Sequence, residues 1–421
     1  MKPSKVIIFI AVFVFLLAGA YVVVSNQISN SEKAAVDAAA EMEQSNLSDL
    51  TQEPNLPDQN VQEETTIERE GNEGDASDKD DPSTKDQTAT DEGTVSEPEL
   101  RFMAVGDIML GRGVGFRLQK LGSYEKAFEK VAPVLRQGDI VFANLESPIT
   151  ASSHSLDSNR KIVLKAKPET VSALTSAGFN LISLSNNHML DYYDKGLFDT
   201  MAILDENHIA HAGGGKNIDE ARKPAIIEKN GLKVGLLAYT DMAELVFAGD
   251  PYLSFAAGTD KSGLVPRKYE TVREDVLKLR DQVDILAVSL HWGVEDSFKV
   301  SADQVEFAHK LIDDGVDLIL GHHPHQFQGM EIYKGKPILY SMGNFIFDQN
   351  DPENMEGFIV DLKYKGSELS EFAAIPVRVI EKSYVEIQTG EKAARLLERQ
   401  IRLNSELGLN TQIEEDKIVI K

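Results

Sequence analysis

The hydrophobic pattern of the chain changes at about residue 99. From there to residue 380, short apolar runs alternate with stretches whose apolar residues recur at helical spacing. This alternation predicts an α/β domain with a largely buried sheet. We predict strands at 100–105, 139–143, 180–184, 233–238, 284–290, 317–320, 337–341, 357–363 and 372–380, and helices at 124–136, 168–177, 195–206, 267–281, 301–313 and 390–407.

The first 25 residues have a different pattern. Val6–Val24 is an unbroken apolar run of 19 residues, about the length that crosses a bilayer as a helix. Lys2 and Lys5 precede it, which predicts a cytoplasmic N-terminus and an external remainder. The alternative is a signal peptide cleaved near Ala18-Gly19-Ala20. We favour a retained anchor because the apolar run continues beyond that site, and both interpretations export residues 26–421.

An acidic segment separates the predicted anchor from the domain. Residues 26–98 contain 20 acidic and four basic residues and no aromatic residue, a composition that predicts a disordered, extended linker. The predicted organisation is therefore a tip and anchor (1–25), this linker (26–98), an α/β domain (99–380) and a helical C-terminal extension of that domain (381–421). The last apolar residues, 417–420, are a candidate extra strand.

Composition restricts the chemistry. The net charge is −25, which disfavours binding to a nucleic-acid backbone. The chain has no cysteine, which excludes disulfides, thiolate-bound metals and a thiol nucleophile. Any metal site must therefore use oxygen and imidazole ligands.

Side chains suited to metal binding or acid–base chemistry follow five of the predicted strands. Ligands of open α/β sheets bind beyond the carboxyl ends of the strands, so we expect these side chains to meet. Carboxylate, carboxamide and imidazole together suit Mn, Zn or Fe(II), as one ion or as a pair. The candidate ligands are Asp107, Glu146, Asn187, His291, His323 and His325, with Asn144, His322 and Asn344 as candidate supporting residues.

Structural interpretations compete with some of these assignments. Asp107 could cap a turn, Asn186 or Asn187 could hold one through its side chain, and His322 is as readily structural as supporting. Trp292, the one tryptophan, could belong to the core, to a site wall or to a substrate platform. We expect purely structural roles for the histidines outside the strand-end turns, which are His154, His208, His211 and His309.

Six motifs carry a resemblance to a known family. They are Gly106–Arg112 (GDIMLGR), Asn144–Thr150 (NLESPIT), Ser185–Tyr192 (SNNHMLDY), His291–Gly293 (HWG), Gly321–His325 (GHHPH) and Tyr340–Asp348 (YSMGNFIFD). Over roughly 100–380 the chain resembles the poly-γ-glutamate capsule biosynthesis (CapA, or PgsA) family, whose domain is similar to calcineurin-like metallophosphoesterases. The resemblance implies a four-layered α/β/β/α sandwich with the site at its rim. It also implies that Asn187 is a metal ligand and His188 a general acid, and Asp191 and Arg112 complete the candidate catalytic set.

Two departures from the phosphoesterase pattern bear on activity. Met109 stands where that pattern has a histidine ligand, and Asn144 and Glu146 stand where it has a bridging aspartate. The favoured hypothesis is a membrane-anchored extracytoplasmic protein of poly-γ-glutamate synthesis or export, working with membrane-embedded synthase subunits. One alternative is an exported metal-dependent hydrolase acting on a phosphoester or a wall polymer. The other is a non-catalytic module that binds an anionic polymer.

Overall fold

Two β-sheets form the centre of the fold, which a computed structural model describes for residues 97–156, 162–244 and 254–420. The predicted membrane segment and almost all of the acidic linker lie outside these residues. The strands are β1 (Glu99–Ile108), β2 (Ile140–Leu145), β3 (Leu181–Ser183), β4 (Ala210–Ala212), β5 (Gly214–Gly215), β6 (Ala225–Lys229), β7 (Leu232–Thr240), β8 (Gly263–Leu264), β9 (Ile285–His291), β10 (Leu318–His322), β11 (Met330–Tyr333), β12 (Lys336–Leu339), β13 (Asn344–Ile346), β14 (Glu356–Lys365), β15 (Glu368–Ile380), β16 (Tyr384–Ile387), β17 (Gln412–Glu414) and β18 (Lys417–Val419). The helices are α1 (Arg112–Lys120), α2 (Ala132–Leu135), α3 (Val171–Ala177), α4 (Tyr193–Glu206), α5 (Ile218–Ala221), α6 (Tyr269–Leu279), α7 (Ala302–Asp313) and α8 (Gly390–Glu406).

Both sheets combine parallel and antiparallel strands. The larger has the order β17-β18-β15-β14-β1-β2-β3-β4, with β13 beside β1 and β16 beside β15. Its strands β1 to β4 are parallel, and β14 is antiparallel to β1. The smaller has the order β11-β12-β10-β9-β7-β6, with β7, β9, β10 and β12 parallel. Within each sheet, the carboxyl ends of the parallel strands therefore lie at the same edge.

Alternation along the strands places the sheets between layers of helices. In β1, Phe102 packs in the core shared with the smaller sheet, whereas Met103 packs in the core beneath the helices. Successive strand residues face opposite sides, so one strand contributes to both cores. In the smaller sheet, Ala287 of β9 packs in the core between the two sheets, whereas Val288 packs in the core on the opposite face of its sheet. The described part of the chain thus has the layer order α/β/β/α, in agreement with the predicted order.

Sequence periodicity gave incorrect limits where glycine or proline intervenes. The helix predicted at 124–136 is wrong in extent, because only a 3-10 turn at Glu125–Ala127 and the four-residue α2 form there. Pro133 has no amide hydrogen to extend a helix toward its N-terminus. Helix α1 was not predicted, since Gly113 and Gly115 are poor helix formers. The predicted strand at 417–420 is confirmed as β18, and residues 381–421 contain β16 and β17 as well as α8.

No helix within residues 97–156, 162–244 and 254–420 combines the length and the apolar character needed to cross a bilayer. The apolar run at Val6–Val24 is not among these residues, so the predicted anchor stays a prediction.

Candidate metal centre

Strand register places four of the predicted residues near the carboxyl ends of parallel strands, two in each sheet. Asp107 of β1 pairs with Asn144 of β2, and His291 of β9 pairs with His322 of β10. All four side chains are buried. They lie in the last residues of their strands rather than in the turns that follow, so the strand-end rule was correct to within two residues.

Two glycines fix the position of Asp107. Its amide donates a hydrogen bond of 3.0 Å to the carbonyl oxygen of Gly343. A β-carbon on Gly106 would lie only 1.8 Å from that same oxygen. Gly343 has a φ of +72°, in the left-handed region that glycine adopts at little cost. The two glycines therefore allow β1 to pass close to the 343 turn and to carry Asp107 into the centre.

Both carboxylate oxygens of Asp107 contact other residues of the site. Oδ1 accepts a hydrogen bond of 2.8 Å from Asn144 Nδ2 and lies 3.2 Å from His322 Nδ1. Oδ2 accepts the backbone N–H of His323 at 3.3 Å and lies 3.6 Å from His325 Nδ1. Burial raises the pKa of a carboxyl, but here His322 and His325 outweigh burial and hold the pKa of Asp107 well below its usual range.

The His-Pro-His turn presents two imidazoles to the site. His323 and His325 have φ values of +98° and +58°, a left-handed conformation that is uncommon for residues other than glycine. The turn is held where the carbonyl oxygen of Pro324 accepts the N–H of Asp296 at 3.0 Å. The ring centres of His323 and His325 are 6.2 Å apart, and that of His323 is 4.7 Å from His291. Backbone strain of this kind is concentrated at functional sites.

Asp107, Glu146 and His325 form a group that could hold a metal ion. One ligand atom from each lies within 4.8 Å of the others, and all three residues are buried. Glu146 Oε1 is 3.7 Å from His325 Nε2 and has no hydrogen-bond partner among the described residues. A buried carboxylate oxygen without a partner is costly unless a cation fills the space beside it.

Asn344 orients the imidazole of His325. The amide nitrogen of Asn344 donates to Gln349 Oε1 at 2.9 Å and to the carbonyl oxygen of Asn354 at 2.8 Å. Its oxygen must then face His325 Nδ1, 2.9 Å away. Nδ1 therefore carries a proton, and Nε2 faces Glu146 with the lone pair that a metal requires. The donor set, two carboxylates and one imidazole, fits Mn, Zn or Fe(II).

Without metal, protons fill the same space. Burial lowers the pKa of His325, but the carboxylates of Glu146 and Asp107 outweigh it and raise the pKa to about 10. Burial, followed by the charge of Asp107, raises the pKa of Glu146 well above its usual range. The group therefore retains protons at neutral pH that a divalent ion would replace.

A second set of donors lies beside the first. Asn187 Oδ1 is 3.0 Å from His291 Nε2, and the ring of His323 is adjacent. Burial, then the nearby His323, lowers the pKa of His291 well below its usual range. Burial, then His325, lowers the pKa of His323 to about 3. Both rings are therefore neutral at physiological pH.

His188 and Asp191 form a hydrogen-bonded pair at the border of the site. His188 Nδ1 is 2.7 Å from Asp191 Oδ2, which also accepts the N–H of Leu164 at 2.6 Å. The backbone N–H of His188 donates to Asn186 Oδ1 at 3.1 Å. An imidazole oriented by a buried carboxylate can hold or release a proton at its other nitrogen, Nε2.

Arg112 lies at the rim rather than at the centre. It makes a two-atom contact with Asp348, at 3.0 Å for Nη2 and 3.2 Å for Nε, and its side chain is 40 % exposed. The charges of Arg112 and Asp348 also affect the pKa of Lys382. Burial lowers the pKa of Lys382, as do Arg117 and Arg112, against the opposing effect of Asp348. Arg112 thus pairs with Asp348, and two further cations, Arg117 and Lys382, lie in the same part of the rim.

The structure brings most of the predicted site residues together. Asp107, Asn144, Glu146, Asn187, His291, His322, His323, His325 and Asn344 share contacts, and Asn186 joins His188 to them through Asn144. Met109 packs in the core beneath the helices. Trp292 is also a core residue: it is buried, stacked on Tyr340 with ring centres 6.0 Å apart.

Three contributing residues were not predicted as part of the site. The sequence pattern indicates only a turn role for Asn186, although its place beside Asn187 and His188 could have indicated more. Gln349 and Asn354 orient Asn344 from an irregular segment, and nothing in the local sequence marks them.

Residues 101–349 match the family described as "Bacterial capsule synthesis protein PGA_cap". The capsule biosynthesis protein CapA of Bacillus anthracis is 30% identical over 333 residues, which cover 77% of this chain and 78% of the relative. The PGA biosynthesis protein CapA of Bacillus subtilis is 28% identical, covering 74% and 80%.

A solved structure is also similar. It is a hypothetical protein from Thermus thermophilus, with 15% identity and a TM-score of 0.40, covering 69% of this chain and all of that one. The match of residues 101–349 and the extent of the relatives show that the chain belongs to the bacterial capsule synthesis protein family PGA_cap.

Proposed function

We propose that this protein acts at the outer face of the cell membrane in the synthesis or export of poly-γ-glutamate, using a divalent cation held by Asp107, Glu146 and His325. The observation that carries the proposal is the buried group of these three residues in a chain of this family. The apolar run Val6–Val24 would anchor the chain, and the acidic segment would extend the domain toward the polymer. Membrane-embedded synthase subunits are the expected partners.

An acidic protein that handles a polyanion needs a local reversal of charge. The cations Arg112, Arg117 and Lys382 around Asp348 supply it at the rim. This rim is close to the metal group, because Phe347, next to Asp348, packs on the ring of His325 with centres 4.9 Å apart. A chain of carboxylates could bind the rim while one of its groups reaches the centre.

A second candidate function is hydrolysis of the polymer or of an anionic ester, and the His188–Asp191 pair favours it. A divalent ion at the centre would supply charge neutralisation for the oxygen that becomes negative. Asp191 would hold the imidazole of His188 in one orientation, so that its Nε2 donates a proton to the leaving group. Asp107 and Glu146 are too buried and too closely paired to serve as that donor.

Deletion and complementation test the first function. Loss of the gene should abolish surface poly-γ-glutamate, and the wild-type gene should restore it. A gene encoding Glu146→Gln should fail to restore it, whereas Glu398→Gln, on the exposed side of α8, should succeed. Unchanged surface polymer after deletion would exclude the proposed role.

A second assay separates the two functions. The full-length chain, purified in detergent, is incubated with poly-γ-glutamate and Mn²⁺, and chain length is followed with time. Shortening that His188→Ala abolishes would indicate a hydrolase. Constant chain length, with surface polymer still dependent on the gene, would leave assembly or export.

A further inference from the structure

Asn144 lies between the two donor sets of the metal centre. Its side-chain nitrogen Nδ2 is 2.8 Å from Asp107 Oδ1 and 3.3 Å from Glu146 Oε2. The same nitrogen is 3.5 Å from Nδ1 of His291, which belongs to the second set. Asn144 is fully buried, and this one nitrogen contacts side chains of both donor sets.

The orientation of the Asn144 amide is determined by its neighbour Asn186. Asn186 Oδ1 accepts the backbone N–H of His188 at 3.1 Å, and Asn186 Nδ2 donates to the carbonyl oxygen of Leu145 at 2.8 Å. A reversed Asn186 would place its oxygen against one oxygen and its NH₂ against an N–H. Its nitrogen therefore also faces Asn144, and donates to Asn144 Oδ1 at 3.1 Å.

This chain of hydrogen bonds leaves the NH₂ of Asn144 pointing to the centre. An amide nitrogen with two hydrogens has no lone pair for a metal. Its hydrogens instead link the carboxylates of Asp107 and Glu146 and approach Nδ1 of His291. The amide oxygen, which could serve as a ligand, points away from the centre toward Asn186.

The same hydrogen-bond network also includes His291 and Asn187 of the second donor set. If Nδ1 of His291 faces the hydrogens of Asn144, its proton is on Nε2, which then donates to Asn187 Oδ1 at 3.0 Å. Both nitrogens of His291 then have partners within the protein. A metal at this position would need to break that arrangement.

We infer that the centre binds a single divalent cation, at Asp107, Glu146 and His325, and that Asn144, oriented by Asn186, takes the place of a bridging ligand to a second ion. Asn144 is thus a positioning residue that links the two donor sets through hydrogen bonds. The inference rests on the proposed function only in using the same cation site. It predicts that ion number, and not merely affinity, depends on residue 144.

Manganese binding to the full-length chain in detergent tests this. After metal removal, Mn²⁺ is added in excess, unbound ion is dialysed away, and bound Mn is counted by elemental analysis. Electron paramagnetic resonance then distinguishes isolated Mn²⁺ from an exchange-coupled pair. The wild type should bind one equivalent with the spectrum of an isolated ion.

Two variants at one position complete the test. Asn144→Asp supplies carboxylate oxygens at the centre and should bind a second equivalent with a coupled spectrum. Asn144→Leu, of similar volume but without a ligand oxygen, should bind no more than one. A coupled pair in the wild type, a second ion in Asn144→Leu, or only one in a folded Asn144→Asp would overturn the inference.

The outcomes separate this inference from the proposed function. Absence of any bound Mn²⁺ in the wild type would overturn both, since no cation site would exist. One isolated ion together with normal surface polymer after gene deletion would support the inference and exclude the function. If Asn144→Asp does not fold, as judged by thermal unfolding, the wild-type ion count and spectrum still decide.

Discussion

His325 Nε2 and Glu146 Oε1 face each other across 3.7 Å, and the glutamate oxygen has no hydrogen-bond partner within the described part of the chain. Two lone pairs directed at one buried space attract either a proton or a metal ion. The pKa of His325, raised to about 10, shows the strength of that attraction for a proton. The relationship makes the centre a cation site in either case.

Removing one of these ligands should remove the stabilisation that metal provides. A ligand that binds only the folded state adds about 2.7 kcal/mol at a concentration 100 times its dissociation constant. Addition of Mn²⁺ should therefore raise the unfolding temperature of the wild type but hardly change that of Glu146→Gln. Thermal unfolding with Mn²⁺ and with EDTA measures the difference, and Glu398→Gln should behave like the wild type. An equal rise in Glu146→Gln would contradict the ligand role.

The metal-free protein should lose stability in acid. The pKa of His323 is about 3 in the folded protein, because of burial and then His325, but near 6.5 in an unfolded chain. The unfolded state therefore binds the proton first, and stability falls as the pH drops from about 6.5 to about 3. At pH 5 the loss from this residue is roughly 2 kcal/mol.

The metal-free protein should also lose stability in alkali, because the pKa of His325 is raised and not lowered. His325, with its pKa raised to about 10, contributes stability below about pH 6.5 that is lost as the pH rises toward 10. Urea unfolding in EDTA at pH 5, 7 and 9 measures both limbs. His323→Gln should flatten the acid limb and leave the alkaline one, whereas His208→Asn, at an exposed site, should alter neither. An unchanged acid limb in His323→Gln would refute the assignment.

A methyl group at residue 106 should disturb the whole centre. The β-carbon of Gly106→Ala would meet the carbonyl oxygen of Gly343 at 1.8 Å, so β1 or the 343 turn must move. Such overpacking costs about 1–3 kcal/mol or more, and it should also weaken Mn²⁺ binding by displacing Asp107. Gly258→Ala, whose added carbon has its nearest neighbour at 3.5 Å, is the matched control. Urea unfolding that shows equal stability for both variants would contradict the close approach.

If the protein is a hydrolase, Asp191 should control the state of His188. In Asp191→Asn the carboxylate that accepts from His188 Nδ1 is gone, so the imidazole loses its fixed orientation. We expect turnover to fall by about 10²–10⁴-fold, the usual contribution of general acid catalysis, with a shifted pH–rate profile and an unchanged content of bound Mn. Loss of Mn together with turnover would instead indicate a structural role for Asp191.

Binding of the polyanion should depend on the rim cations. Arg112→Ala should weaken binding of poly-γ-glutamate by about two- to fivefold at low salt, as expected for a partly exposed charge. The difference from the wild type should shrink as salt screens the interaction. Arg273→Ala removes a similarly exposed arginine that pairs with Asp314, and should have no effect. Equal weakening in both variants would show only a response to overall charge.

The local pattern of the chain was sufficient for the α/β class and for the strand ends that carry the site, whereas the order of the layers was implied by the family resemblance. Alternate residues of β1, such as Phe102 and Met103, face different cores because strand geometry requires it. The position of Asp107 and Asn144 near strand ends followed from the same pattern. Parallel strands that end together then bring such residues to one edge.

Helix α1 and the rim depended on contacts between distant parts of the chain. Gly113 and Gly115 disfavour a helix locally, but Asp348 accepts the N–H of Gly113 at 2.9 Å and caps its first turn. The two residues are 235 positions apart. No local pattern could have indicated that partner.

The sequence alone determined the kinds of ligand available, the strand ends that carry them and the absence of thiol chemistry. Only the tertiary structure decided that Met109 and Trp292 pack in the core, and which atom Asn144 presents to the centre. The reason is physical: strand and helix periodicity is local, whereas the orientation of a buried amide is determined by its partners. For Asn144 the decisive partner, Asn186, lies 42 residues away.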